Sequence, residues 1–176
     1  AHIVFIAGNH EFYRQYRKLT LSIYREGFAN HERIHFLEND YVDIGEVRFI
    51  GATLWTGFPQ HLPEHNAEKV MAYAKDNVSD FSVIADDTDK IKVFSPEIAA
   101  VLFDESKAAI SKILAESNSK KCVVVTHFPP AKQLLHPLYP PNLVTSYFTA
   151  DCLDVIKTHQ PAYWFYGHNH WSAQTA

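Results

Sequence analysis

The sequence predicts a single α/β domain, because strand patterns alternate with helix patterns along the chain. Three short runs of β-branched and aromatic residues, typical of buried strands, occur at His2–Gly8, Cys122–Thr126 and Ala162–Tyr166. Segments with helical spacing of apolar residues lie between them, an alternation typical of α/β domains. The chain has 176 residues, 47% of them apolar and 20% charged, so we expect residues 1–176 to form one globular domain.

The first half of the chain is expected to hold two helices and a hairpin. Helical spacing extends from Phe12 to about Phe28. The alternating segment Arg33–Trp55 contains the turn dipeptide Gly45-Glu46, which predicts two or three strands including a hairpin. A loop with glycine and proline follows at 55–65, and a second helix is expected from Asn66 to about Asn77.

The second half is expected to hold two more helices and a long loop. Ser95-Pro96 is a typical helix start, with serine as the N-cap, and helical spacing continues to about Ser117. The proline-rich segment from Phe128 to about Phe148 is too long for a simple connection, so we predict a functional loop. Thr149 is expected to cap a short helix that ends near His159.

Composition argues against two classes of partner and favours one compartment. The net charge of −4 and the lack of a basic stretch argue against a nucleic-acid partner. No apolar run approaches the roughly 20 residues that span a bilayer, so no membrane partner is expected. Cys122 and Cys152 are predicted to be buried free thiols, although a disulfide between them stays open. Free thiols indicate a reducing compartment, so the expected localisation is cytoplasmic.

Polar side chains follow each of the three apolar strands. Asn9 and His10 follow the first, His127 follows the second, and His168 and His170 follow the third. Ligands of open α/β sheets bind outside the carboxyl ends of the strands, so these side chains are expected to converge on one pocket. Imidazole and amide oxygen suit zinc, iron, manganese or nickel better than magnesium or calcium. The pattern therefore predicts a transition-metal site.

Each of these residues also has a purely structural alternative. Asn9 is a common helix-capping residue, His10 fits a buried structural position, and His127 fits a turn. The two C-terminal histidines are compatible with a solvated loop. Gly8 and Gly167 precede the candidate ligands and are expected to allow tight backbone turns there.

The motifs G-N-H-E at 8–11, T-H at 126–127 and G-H-N-H at 167–170 occur in the order found in one large family. The sequence resembles the calcineurin-like metallophosphoesterases over Ile3–Trp171, and specifically a bacterial branch whose substrates are unassigned. The resemblance implies an α-β-β-α sandwich, in which two packed mixed β-sheets are flanked by helices and carry a two-metal site at the strand ends. It extends to two further segments, Phe49–Phe58 and Ser79–Phe81.

The resemblance also implies a role for each candidate residue. Asn9, His127 and His168 would bind one divalent metal (Mn, Fe, Zn or similar), and His170 would bind the other. Two metals together would supply a metal-bound hydroxide for in-line attack on a small-molecule phosphomonoester or phosphodiester. His10 would bind no metal and would instead stabilise or protonate the leaving group, as histidine commonly does.

Two motifs of the family do not occur in this sequence. The family has a D-x-H and a G-D-x-x-D motif before G-N-H, which supply two ligands of the first metal and the carboxylate that bridges both metals. Here no aspartate is followed two positions later by histidine, and no glycine is followed by aspartate. We therefore expect a domain that lacks its N-terminal strands and its final C-terminal strands. It would hold at most one metal, would be nearly inactive alone, and would expose a sheet edge through which two copies can pair.

Two alternatives concern function and substrate contact. A non-catalytic protein-binding scaffold of the same fold competes with the hydrolase, although the complete retained set at 9, 10, 127, 168 and 170 favours the hydrolase. For substrate contact, His61 and His65 are candidates in the loop after Trp55, and a solvated or packing role is their alternative. Tyr139 and Tyr147 are candidates in the aromatic loop His136–Phe148, where the alternative is that they only cover the sheet ends.

Overall fold

The strands form two sheets in the computed structural model, which describes residues 1–59, 66–87, 93–118 and 120–173. The smaller sheet pairs two parallel strands, and the larger is a mixed sheet in the order β3-β4-β5-β6. Within the larger sheet β3 and β4 form the predicted hairpin, and β4, β5 and β6 run parallel. The strands are β1 (Ile3–Phe5), β2 (Ile34–Phe36), β3 (Asp40–Ile44), β4 (Val47–Ala52), β5 (Lys121–Thr126) and β6 (Tyr163–Phe165).

Helices flank these sheets, which confirms the predicted fold class. Two predicted helix starts are confirmed by their caps: the Asn66 side chain accepts from the Lys69 amide at 2.8 Å, and the Ser95 hydroxyl accepts from the Ile98 amide at 3.3 Å. No described helix has the length and apolarity required to cross a membrane. The helices are α1 (Arg17–Phe28), α2 (Ala67–Asn77), α3 (Asp80–Val83), α4 (Pro96–Ala115) and α5 (Leu153–His159).

Two predicted helix starts are wrong. The first helix begins at Arg17 and not at Phe12, because Arg14 adopts a left-handed backbone with φ of 59° that no α-helix accommodates. The last helix begins at Leu153, and Thr149 does not cap it, because its extended backbone lies four residues before the helix.

The two sheets pack closely where the strands end. A Cβ atom at Gly51 of β4 would lie 2.5 Å from Leu37 Cβ and 2.7 Å from Ile6 Cγ2, so only glycine fits this contact. Leu37 and Ile6 follow β2 and β1 directly. On the same side of the molecule a buried aromatic core of Trp55 and Phe128 supports the loops after β4 and β5. The packing therefore gives those loops a rigid base.

The outer strands and the cysteines bear on two sequence predictions. Ile3 of β1 and Phe165 of β6 are 55% and 58% exposed, and pairing of two copies through such an edge stays a prediction. Cys122 and Cys152 are both buried and unpaired, as predicted. Burial raises the pKa of the Cys152 thiol to about 12, so this thiol is poorly reactive.

Candidate functional site

The carboxyl ends of β1, β5 and β6 open onto one cavity of about 350 Å³. All five residues predicted to form the site line this cavity, which places them together as their positions after the strands suggested. They reach the cavity from three connections, those after β1, β5 and β6, and the packing of these connections decides the geometry. The lining residues are Asn9, His10, Glu11, Tyr13, Asn77, Val78, Ser79, Asp80, His127, Val144, Tyr147, Phe148, His168 and His170.

Asn9 and His10 lie on a 3-10 turn over Asn9–Phe12 that follows β1. The turn is held at both ends: the Gly8 amide donates to Glu11 Oε2 at 2.7 Å, and the fully buried Phe12 ring stacks on the buried core. Asn9 is buried, whereas His10 is exposed to the cavity with its ring 4.5 Å from the Tyr13 ring. The turn thus presents one buried amide and one accessible imidazole side by side.

His127 directly follows β5 and continues the backbone hydrogen bonding between that strand and its two neighbours. Its amide donates to the Ala52 carbonyl at 3.4 Å, and its carbonyl accepts from the Gly167 amide at 3.0 Å. A Cβ at Gly8 would lie 2.7 Å from His127 Cε1, so the imidazole fits only because residue 8 has no side chain. Gly8 has φ of −92°, so its role here is this close approach and not the tight turn that we predicted.

The tight backbone at the end of β6 falls on the histidines themselves. His168 and His170 have left-handed φ values of 65° and 50°, in the region where non-glycine residues are uncommon. The His168 ring is stacked against Phe148 and packs 4.0 Å from Phe128. These two rings, from the two ends of the segment 128–148, hold the imidazole in place, and a functional role of that loop stays a prediction.

Three atoms that could bind a metal ion, each from a different connection, meet inside the cavity. His127 Nε2 lies 2.8 Å from Asn9 Oδ1 and 3.2 Å from His168 Nδ1. Burial lowers the pKa of His127 to about 4 and that of His168 well below its usual value, so both imidazoles are neutral at neutral pH. A neutral imidazole keeps one nitrogen lone pair for a ligand. His168 Nε2 is buried without a hydrogen-bond partner.

Asp80 lines the cavity and contacts Asn9, although the sequence analysis did not single it out. It is 1% exposed, and its two oxygens accept from Asn9 Nδ2 at 3.0 and 2.9 Å. Tyr13 donates to the same carboxylate at 2.7 Å, and the Tyr147 hydroxyl also donates to it. Ser79–Phe81 belonged to the resemblance, but an aspartate at the start of a helix is ordinarily a local cap. Only the tertiary structure reveals this contact, since 71 residues separate Asp80 from Asn9.

The four predicted substrate-contact residues fall in different places. Tyr147 is 1% exposed and lines the cavity with its hydroxyl on Asp80. Tyr139 is 63% exposed, and its ring packs against His136. His61 and His65 lie outside the described residues, so substrate contact by any of the four stays a prediction.

Comparison with known sequences identifies the family. The sequence model of the calcineurin-like phosphoesterases matches residues 1–172. This chain belongs to the calcineurin-like phosphoesterase family. That result confirms the resemblance inferred from the G-N-H-E, T-H and G-H-N-H motifs.

Two individual proteins extend the comparison. An uncharacterized protein of Acanthamoeba polyphaga mimivirus is 24% identical over 192 aligned residues, which cover 98% of this chain and 62% of that protein. A solved crystal structure aligns with a TM-score of 0.52 over 98% of this chain and 52% of its own, at 13% identity, and supports the fold alone. This calcineurin-like phosphoesterase chain therefore spans between half and two thirds of the length of these matches.

Calcineurin-like phosphoesterases generally use divalent metals, and the donor set can be tested for fit. The distances of 2.8 and 3.2 Å are short enough for these atoms to contact one ion, because metal bonds of about 2.1 Å allow two ligand atoms to lie up to about 4 Å apart. Within the ranges that the structure describes, no group of three or more His, Cys, Asp and Glu side chains is placed to hold a metal. The convergent set consists instead of the Asn9 amide and two imidazoles, which fits one divalent ion of the manganese, iron or zinc type.

Proposed function

We propose that this chain supplies a metal-binding half-site to a phosphoesterase that hydrolyses a small-molecule phosphomonoester or phosphodiester. The observation that carries the proposal is that His127 Nε2 lies 2.8 Å from Asn9 Oδ1 and 3.2 Å from His168 Nδ1 in a chain of the calcineurin-like phosphoesterase family. One metal per chain is proposed, because the sequence contains no D-x-H or G-D-x-x-D motif to bind and bridge a second. His170 lines the same cavity and would bind the other metal of the complete site, the one that the missing motifs would also bind.

The three donor residues would hold the ion, and the rest of the cavity would orient the substrate. A metal ion at this position supplies charge stabilisation for phosphoryl oxygens and activates water as a nucleophile. The burial that keeps His127 and His168 neutral favours their use as ligands, because protonation competes with metal for the same lone pair.

His10 is the proposed proton donor to the leaving oxygen. It is exposed to the cavity, adjacent in sequence to the ligand Asn9, and fixed by a turn that the buried Phe12 anchors. Imidazole is the side chain that most often performs general acid catalysis. The apolar side chains of Val78, Val144 and Phe148 line the cavity beside it and would exclude water from the reacting groups. We also propose that the protein acts in the cytoplasm, which is consistent with two free thiols.

The test is the metal content of the chain. The protein is loaded with Mn²⁺, Fe²⁺ or Zn²⁺, the excess is removed, and bound metal is measured for wild type, His127→Ala and His136→Ala. His136 is the matched control, because it packs against Tyr139 and Trp171 and lies outside the cavity lining. We expect close to one metal in the wild type and the control, and almost none in His127→Ala.

Other outcomes contradict the proposal in distinct ways. Two metals per chain would contradict the half-site, and no metal would favour a non-catalytic scaffold of the same fold. We expect hydrolysis of p-nitrophenyl phosphate and its diester by this chain alone to be nearly absent. Turnover at rates typical of enzymes, above roughly 1 per second, would also contradict the half-site.

A further inference from the structure

A buried carboxylate lies behind the three candidate metal ligands and contacts the asparagine amide among them. It has no role in the chemistry proposed above. We propose that Asp80 is a positioning residue that fixes the Asn9 amide with its oxygen toward His127 and His168. This inference rests on the proposed function, because the orientation matters only if Asn9 is a ligand. Asp80 itself would touch neither metal nor substrate.

The orientation of an asparagine amide needs a cause, because its two ends have nearly the same shape. Only the oxygen can bind a metal ion. Asp80 receives the Asn9 nitrogen on both carboxylate oxygens, at 3.0 and 2.9 Å, while Asn9 Oδ1 lies 2.8 Å from His127 Nε2. In the flipped amide the oxygen would face two carboxylate oxygens and lose a charge-assisted hydrogen bond. Asp80 therefore selects the orientation that ligation requires.

The carboxylate is itself held from two separate segments. Tyr13, which follows the turn of Asn9, donates to Oδ1 at 2.7 Å, and Tyr147 of the aromatic loop donates to Oδ2. Burial raises the pKa of both tyrosines, so both hydroxyls remain protonated and act as donors. The Tyr13 ring also packs against His10. Asp80 thus links Asn9, the candidate acid and the loop that supports His168.

The experiment compares wild type with Asp80→Asn in two measurements. The first is ¹⁵N NMR of the Asn9 side-chain amide in metal-free protein, and the second is Mn²⁺ affinity by calorimetry. We expect the wild-type Asn9 amide protons to exchange slowly and to lose this protection in Asp80→Asn. Mn²⁺ affinity should fall about 10- to 100-fold, as for other residues that orient ligands. Asp43→Asn is the matched control, because Asp43 is also multiply hydrogen-bonded but lies in the exposed β3–β4 hairpin.

A second variant covers the case in which Asp80→Asn fails to fold. The exchange variant Asn9→Asp/Asp80→Asn places the acceptor at position 9 and the donor at position 80, which restores a complementary pair. If Asp80 acts by orienting the side chain at position 9, this variant should bind Mn²⁺ with at least wild-type affinity. Weaker binding would overturn the proposal. Unchanged protection and affinity in Asp80→Asn would overturn it as well, and the proposed function would stand. If the wild type binds no Mn²⁺, the proposed function fails, while the NMR measurement still decides whether Asp80 orients Asn9.

Discussion

The two ends of the four-stranded sheet carry polar clusters of opposite character. At the end where β4 and β5 begin, Arg48 donates to both oxygens of Asp43 at 2.8 and 2.9 Å, and Lys120 donates to the same carboxylate at 2.6 Å. The Arg48 guanidinium also covers the Tyr41 ring at 3.9 Å. Every charge in this cluster has an opposite charge beside it, and the side chains of Asp43 and Lys120 are about one-third exposed.

At the other end the polar atoms are buried and incompletely matched. Asn9 and His168 each lie within hydrogen-bond distance of His127 Nε2, and His168 Nε2 has no partner. Burying polar atoms without full pairing costs about 1–3 kcal/mol per group. The first cluster therefore stabilises the fold by itself, whereas the second, in our proposal, is completed by a metal ion. This difference, more than the presence of histidine, distinguishes a binding site from a structural cluster.

Gly8→Ala should have the largest effect, because it breaks the cluster at the ligand end. The added Cβ would lie 2.7 and 2.8 Å from two atoms of the His127 ring and 2.9 Å from Glu11 Oε2, so the ring or the turn must move. We expect a destabilisation of about 1–3 kcal/mol, as for other overpacked sites. Mn²⁺ affinity should fall more than about tenfold, in line with other changes that displace ligands. Urea unfolding and calorimetry measure the two effects.

Gly27→Ala is the control for this substitution. Gly27 lies in α1, and a Cβ added there would have nothing within 4 Å, so alanine adds helix propensity without a clash. We expect stabilisation of up to about 1 kcal/mol and unchanged Mn²⁺ affinity. If Gly8→Ala matched this control in both measurements, the close approach of Gly8 and His127 would not shape the site.

The sequence was sufficient for the parts of this site that depend on strand ends. His127 and His168 follow the neighbouring parallel strands β5 and β6, and the carboxyl ends of parallel strands share one edge of a sheet. That rule brings the two histidines together, whereas Asn9 follows β1 of the smaller sheet and reaches them only because the two sheets pack together. The fold class was also predictable from the sequence, because strand and helix periodicities are local.

The sequence was insufficient where a contact depends on tertiary packing. No local pattern shows that Asp80, at the start of a four-residue helix, meets Asn9, or that Gly8 is required by an imidazole 119 residues away. The start of α1 was wrong for a related reason. The apolar spacing from Phe12 is helical, but Phe12 is buried by a 3-10 turn that the site requires.

Glu38 and Asp43 extend the comparison to the pH dependence of stability. The pKa of the buried Glu38 is raised and that of the exposed Asp43 is lowered, so their contributions to stability change with pH in opposite directions. Glu38 follows β2 and is 8% exposed, with the Thr53 amide and hydroxyl each 2.8 Å from its Oε2. Burial raises the pKa of Glu38 above its usual 4.5. Stability from this group is therefore present below pH 4.5 and is lost as the pH rises through the folded pKa.

Glu38→Gln should remove this loss, because the amide keeps an oxygen for Thr53 and carries no charge. We expect the unfolding free energy of the wild type to decline relative to the variant as the pH rises from about 4.5 through the folded pKa of Glu38. Urea unfolding across this range measures the difference. A constant difference would show that the Glu38 carboxyl titrates normally in the folded protein.

Asp43→Asn should have the smallest effect and the opposite sign in pH. The hydrogen bonds from Arg48, and then Lys120, lower the pKa of Asp43 below its usual 3.8, so its stabilisation is present above pH 3.8 and is lost as the pH falls through the folded pKa. Because the cluster is exposed, we expect only about 0.5–1 kcal/mol at neutral pH, and less at high salt. Urea unfolding in low and high salt measures both. A loss of unfolding free energy that high salt leaves unchanged would mean that Asp43 acts through hydrogen-bond geometry. The contrast between the two ends of the sheet would then rest on burial rather than on charge.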